Sequence, residues 1–279
     1  MRRCPTPIAL LVLAGLAGGA AAQWNPGAGQ WLKSDAADLR VMTWNVQDGI
    51  CRTADKTNSF SSWNALARSV AAFQPDVLIL QETGDNSGNG TGSGVDSVAQ
   101  LTTTCELFIH GGADPFLGGS VGAYVQLFAP GYDLPYIFVS SVNDGFNRNI
   151  ILSRYPFADL NGDLVATYSD VPFMLPDAWQ AGGNGGIRGF MTAEIDLPGT
   201  YAGELVIGNC HLKAGSTSPD QADRLAAAKN ISYFLRYFYN GNGGPVPDPN
   251  NKIFEPAPGA SSVLDPSTPI IWGGDWNED

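Results

Sequence analysis

The 279-residue chain is short of histidine, of cysteine and of positive charge, and each shortage removes a class of function. Its two histidines, His110 and His211, and its four cysteines show no zinc-site spacing, which excludes a metal centre built on clustered imidazoles and thiolates. Lysine and arginine number 15 against 27 acidic residues, for a net charge of −12, and they are scattered. A broad basic stripe holding nucleic acid through counterion release is therefore excluded, whereas an enzyme that meets a few phosphates through a metal is not. Long apolar runs are also missing. The stretch Ile8 to Leu16 falls short of the roughly 20 residues a membrane span needs, so no transmembrane segment is expected. Arg2 and Arg3 before that stretch and Ala20-Ala21-Ala22 after it make residues 1–22 a secretory signal, and the protein is expected to be secreted or extracytoplasmic. Cys4 leaves with the signal. Cys51 and Cys105 are then the expected disulfide, and Cys210, inside an apolar run, the expected buried thiol.

Glycine (34) and proline (19) are plentiful, which rules out a mostly helical bundle, while 44% hydrophobic residues suffice for a core. Residues 23–38 form a lead segment, and from Leu39 strands and helices alternate. Strands are expected at Leu39–Val46, Asp76–Gln81, Tyr136–Val139, Asn149–Ser153, Arg188–Leu197, Glu204–His211 and Pro269–Gly274. Helices are expected at Ser62–Phe73, where Trp63, Leu66, Ala67, Val70 and Phe73 share one face, at Val95–Ile109, and at Pro219–Tyr239 behind a serine, a first-turn proline and a capping-box glutamine. No repeat and no second domain is visible, so residues 39–279 read as one α/β unit.

Polar residues stand repeatedly where these strands end: Asn45, Glu82, His211, and Asp275 with Asn277. In layered α/β folds such ends converge on one rim. A hard cation such as Mg²⁺ takes oxygen ligands and one or two carboxylates, so Glu82 with Asn45 nearby is the expected metal site. His211 and Arg188 would donate to the phosphate, whose developing charge makes such donors worth more in the transition state. Asp275 and Asn277 would orient the attacking water or the leaving oxygen.

The runs Val41-Met42-Thr43-Trp44-Asn45, Asp76 to Gln81 closing on Glu82, Ile151-Leu152-Ser153-Arg154-Tyr155-Pro156, Asn209-Cys210-His211-Leu212 and Gly274-Asp275-Trp276-Asn277 resemble, in order, the motifs of the endonuclease/exonuclease/phosphatase superfamily. That superfamily includes deoxyribonucleases and neutral sphingomyelinases. The resemblance implies a four-layer α/β sandwich, two packed mixed β-sheets flanked by helices. It implies Mg²⁺ dependence, with Mn²⁺ or Ca²⁺ as substitutes, Glu82 as main ligand and Asn45 in the active site. His211 becomes a phosphate-contacting acid, Asp275 and Asn277 lie at the nucleophile, Arg188 is the phosphate-contacting arginine, and Arg154 joins Asn45 in substrate binding. The family closes with a Ser-Asp-His segment downstream of Gly-Asp-x-Asn, so the chain is expected to be a fragment lacking that C-terminal part, the alternative being a degenerate member.

The expected function is thus a secreted metal-dependent phosphoesterase, nuclease-like, acting on a phosphodiester of a nucleic acid or a phospholipid head group. The competing readings are a sphingomyelinase-type phospholipase C and a non-catalytic secreted binding module. No stable protein partner is implied.

Overall fold

The computed structural model describes residues 33–278 except 34, 36, 52, 85–94, 142, 144–146, 160–163, 165–172, 175–186, 240–252 and 255–267. The expected signal and most of the lead segment lie outside the described residues.

Four layers are built from two sheets. In the first sheet, β1 (Val41–Asn45) pairs in parallel with β2 (Val77–Gln81), and β2 pairs antiparallel with β6 (Ile150–Ser153), which pairs with β5 (Tyr136–Val139). Between β2 and β5 the chain forms α2 (Val98–His110), a short hairpin of β3 (Gly112–Ala113) and β4 (Ser120–Val121), and α3 (Tyr124–Phe128). The second sheet runs β11 (Ile270–Asp275), β9 (Leu205–Leu212), β8 (Ile187–Ile195), with β9 antiparallel to β8 and parallel to β11. The two-residue strands β7 (Phe173–Met174) and β10 (Ile253–Phe254) pair with each other.

Every residue of β2 is buried, because the strand is covered on both faces. Leu78 and Leu80 face α1 (Ser62–Phe73) and α2, in a core that includes Trp63, Val70, Leu101 and Phe108. Val77 and Ile79 alternate to the other face and meet Ile195, Leu205 and Ile207 of the second sheet. The outer face of the second sheet is closed by α4 (Ser218–Tyr239), through Phe234 edge-on to Phe190 at 5.2 Å and Phe190 stacked on Trp272 at 4.9 Å. This is the four-layer arrangement expected.

α1 begins where Ser61 caps it by accepting from the Asn64 amide at 3.3 Å, and it ends at Gln74 in the left-handed region. α2 starts three residues later than expected, because Ser97 and Gln100 close a reciprocal capping box. The expected Cys51–Cys105 disulfide is a misreading. No disulfide joins the described cysteines, and Cys51, Cys105 and Cys210 are all buried. Both Cys51 and Cys105 belong to the apolar core between the first sheet and its helices, where they pack as small hydrophobes. Burial pushes the Cys105 thiol up to about 12, the carboxylate of Glu106 acting in the same direction, so it stays protonated.

Candidate active site

Parallel pairing sets the site. Because β1 and β2 run together, Asn45 and Gln81 are register partners, and Glu82 emerges one residue beyond. Because β9 and β11 run together, His211 and Asp275 are register partners in the other sheet. The same ends of the two sheets face each other, so four polar side chains distant in sequence converge.

Asn45 is the bridge. Its Nδ2 donates to Glu82 Oε1 at 3.0 Å and to Asp275 Oδ2 at 2.7 Å, while its Oδ1 accepts from the Gln47 backbone N–H at 3.0 Å. That last bond fixes which way the amide faces. Asn45 therefore turns its NH₂ toward both carboxylates and ties Glu82 to Asp275. His211 Nε2 lies 3.5 Å from Glu82 Oε1 and 3.8 Å from Asp275 Oδ2. The imidazole is 3% exposed, against 23% and 27% for the two carboxylates, so the acids open to solvent and the base sits beneath them.

Two backbone strains shape this end. Glu82 adopts φ of +54°, a region costing about 1 kcal/mol for a residue with a Cβ. It is held there by Asp48, whose amide donates to the Glu82 carbonyl at 2.8 Å, and by Val46, which donates to Gln81 at 3.0 Å. Asn277, at φ of +48°, closes a turn in which its amide donates to Asp275 Oδ1 at 3.0 Å, and its Nδ2 reaches Leu212 O at 3.0 Å. A Cβ on Gly274 would collide with the Cys210 carbonyl, so glycine is required where β9 and β11 tighten before Asp275.

Glu82, Asp275 and His211 each offer a ligand atom, and the three atoms lie within 4.8 Å of one another. Two carboxylates pressed together with only an amide between them suit a divalent cation with oxygen preference, so the donor set fits Mg²⁺. Asp275 thus stands beside Glu82, and the pairing is invisible in sequence because the two are far apart along the chain. The Cys210 thiol next to His211 takes no part as a nucleophile, since burial pushes it up to about 12. Arg188 stands opposite His211 in the β8–β9 register, which places it at the same end of the sheet; its side chain lies outside the described part.

Arg154 is not brought to the site. It follows β6, whose Ser153 pairs with Val77 at the start of β2, and β2 is about 16 Å long at ~3.3 Å per residue. There its Nη1 meets Asp76 at 3.3 Å, and its guanidinium lies over the Tyr132 ring. Arg154, expected in substrate binding, thus stands at the opposite end of β2 from Glu82.

A family model described as the endonuclease/exonuclease/phosphatase family matches residues 42–279, from β1 to beyond Asn277. The chain belongs to that family. The family's members are hydrolases acting on phosphodiester bonds. Among solved structures, the endonuclease/exonuclease/phosphatase family protein from Beutenbergia cavernae is 21% identical, with a TM-score of 0.38, 69% of this chain covered and 43% of that chain. Truncated TDP2 from Caenorhabditis elegans is 16% identical, with a TM-score of 0.43, covering 86% of this chain and 63% of that one. TDP2 from D. rerio, solved with a single-strand DNA product, is 15% identical, with a TM-score of 0.40, 86% of this chain covered and 61% of that one. The chain thus spans less than two thirds of the length of these family structures. No curated protein matches it.

Proposed function

We propose that the protein is an exported, metal-dependent phosphodiesterase of the nuclease-like kind. The observation that carries this reading is the Glu82–Asp275 carboxylate pair, held by one amide and backed by His211. Glu82 and Asp275 would hold a divalent cation, which when bound supplies positive charge to a phosphoryl oxygen. His211, buried and in reach of both acids, is placed to donate a proton to a phosphate oxygen as charge builds there. Asn277, locked by its turn against Asp275, fixes the rim on which a water or leaving oxygen would be oriented. The signal-like segment 1–22 supports export.

The test is hydrolysis of bis(p-nitrophenyl) phosphate, single-stranded and double-stranded DNA, and sphingomyelin, each with Mg²⁺ and with EDTA. Mg²⁺-dependent cleavage of the small diester and of DNA is expected. Turnover unchanged in EDTA would overturn the metal dependence, and turnover confined to sphingomyelin would replace the nuclease-like reading with a phospholipase C.

A further inference from the structure

The site is assembled from two sheets, and the seam between them is lined by apolar side chains, among them Ile79, Ile207 and Met191, whose attraction is non-directional. One buried side chain crosses that seam with direction. Asn209, on β9 two residues before His211, is fully buried. Its Nδ2 donates to Leu80 O at 2.9 Å and Ile150 O at 3.0 Å, in the other sheet. Its Oδ1 accepts from Gln81 Nε2 at 2.9 Å, and the same Nε2 lies 3.3 Å from Thr43 Oγ1 on β1.

The place of these bonds matters. Leu80 and Ile150 are the last matched pair of the β2–β6 ladder. Immediately afterwards Gln81 leads into Glu82, where the backbone turns left-handed. Asn209 therefore grips the last regular rung beneath the metal-binding carboxylate from the strand that carries His211. The seam is also tight here, since a Cβ on Gly273, the β11 partner of Asn209, would come within 2.9 Å of Ile79 and 3.2 Å of Thr43. Both amide hydrogens and one oxygen lone pair of Asn209 are used, in a dry, low-dielectric setting where hydrogen bonds are strong and slippage leaves buried polar atoms unpaired.

We propose that Asn209 is a positioning residue: an amide clamp that sets the Glu82 end of the first sheet against the His211–Asp275 end of the second. The inference rests on the reading of these residues as a metal-dependent hydrolytic site. An apolar residue of similar volume would keep the fold and lose the register, and errors of about 1 Å in placing reacting groups cost on the order of 10²-fold in rate.

The experiment compares wild type with Asn209→Leu, Gln81→Met and the double variant, well below their melting temperatures. Three readouts are used: Mn²⁺ affinity by electron paramagnetic resonance of the free ion, steady-state turnover of bis(p-nitrophenyl) phosphate with Mn²⁺, and backbone amide exchange. Asn209→Leu is expected to weaken Mn²⁺ binding and lower kcat by about 10- to 100-fold each, the usual range for residues that orient metal ligands, with KM changing less. Gln81→Met, which leaves both carbonyl bonds in place, should move the same quantities less, and the double variant should fall short of the product of the singles because the two residues share a bond. A lower melting temperature with Mn²⁺ affinity and kcat within twofold of wild type would overturn the proposal, and if Asn209→Leu does not fold, Gln81→Met decides by the same criterion. Should wild type neither bind Mn²⁺ nor turn over, the site reading falls. Exchange then decides the clamp separately: faster exchange confined to residues 80–82 and 209–211 upholds it, and unchanged exchange overturns it.

Discussion

The two ends of β2 carry the same chemical group to opposite purposes. At the entry end, Asp76 is wholly buried and fully answered: it accepts the Arg40 backbone N–H at 2.8 Å, and Lys33 at 2.8 Å and Arg154 at 3.3 Å neutralise it. At the exit end, Glu82 and Asp275 face each other with an amide and an imidazole, and among the described residues no lysine or arginine pairs with either. A buried carboxylate with its cations supplied by the chain ties parts together. A pair of partly exposed carboxylates without such cations leaves negative charge that a cation from solvent would offset. The contrast also explains why Arg154 is absent from the site: its charge is used at the other end of the strand.

The sharpest way to break this comparison is Glu82→Gln. It removes one anionic ligand while keeping shape, and Mg²⁺-dependent turnover of bis(p-nitrophenyl) phosphate should fall at least about 10³-fold, on the order of 4 kcal/mol of barrier. The melting temperature without metal should hold or rise, because repulsion with Asp275 is relieved. Retained activity would return Glu82 to a structural role. His211→Ala should cost about 10²-fold in kcat, the lower range for a positioned proton donor. If only KM moves, the imidazole binds and does not transfer. Asp76→Asn should do the reverse of Glu82→Gln: turnover intact, stability lower by about 2 kcal/mol, and a melting temperature lower by roughly 4–8 °C. Loss of turnover at a temperature where the variant is folded would mean that the two ends are coupled.

Much of this was legible from residue patterns. α1 falls where the periodic face of Trp63, Leu66 and Val70 puts it, and the strand ends at Asn45, Glu82, His211 and Asp275 do meet on one rim, because parallel pairing carries the end of one strand to the end of its neighbour. What was not legible depends on three-dimensional direction. Arg154 stands in a recognisable motif, but β6 runs antiparallel to β2, so the residue after β6 lands beside Asp76. Whether Asn45 offers oxygen or nitrogen to the carboxylates turns on the Gln47 amide in the following loop, which no spacing predicts. The β3–β4 hairpin and α3 are too short to carry a visible periodicity, and the hairpin is tied from far along the chain by the buried Lys56–Asp114 pair at 2.6 Å. In sequence Asn209 stands only as part of a motif, since a fully buried asparagine inside an apolar strand declares its role only when its partners in the other sheet are known.

The smallest expected effect comes from a cation near the site. Lys213, two residues after His211, pairs with Asp220 at 3.1 Å, and Asp220 also accepts from the Thr217 hydroxyl at 2.6 Å in the first turn of α4. The Thr217 hydrogen bond and then Lys213 hold the Asp220 carboxyl down to about 2, against an ordinary value of 3.8. A carboxylate lowered in the folded state stabilises above its unfolded value and loses that contribution as pH falls through its folded value, here between about 4 and 2. Asp220→Asn should therefore melt slightly below wild type at pH 5, and the two melting curves should converge as pH approaches 2. A gap independent of pH would assign the difference to the lost hydrogen bonds rather than to charge. The same variant sharpens the contrast between the strand ends, because it frees Lys213, two residues beyond His211, from its carboxylate. Unchanged Mg²⁺ dependence in Asp220→Asn is expected, since Lys213 is also tied to the Ala214 carbonyl at 2.8 Å. A weakened Mg²⁺ requirement would show that the site stays open to a cation only while Asp220 keeps that lysine occupied.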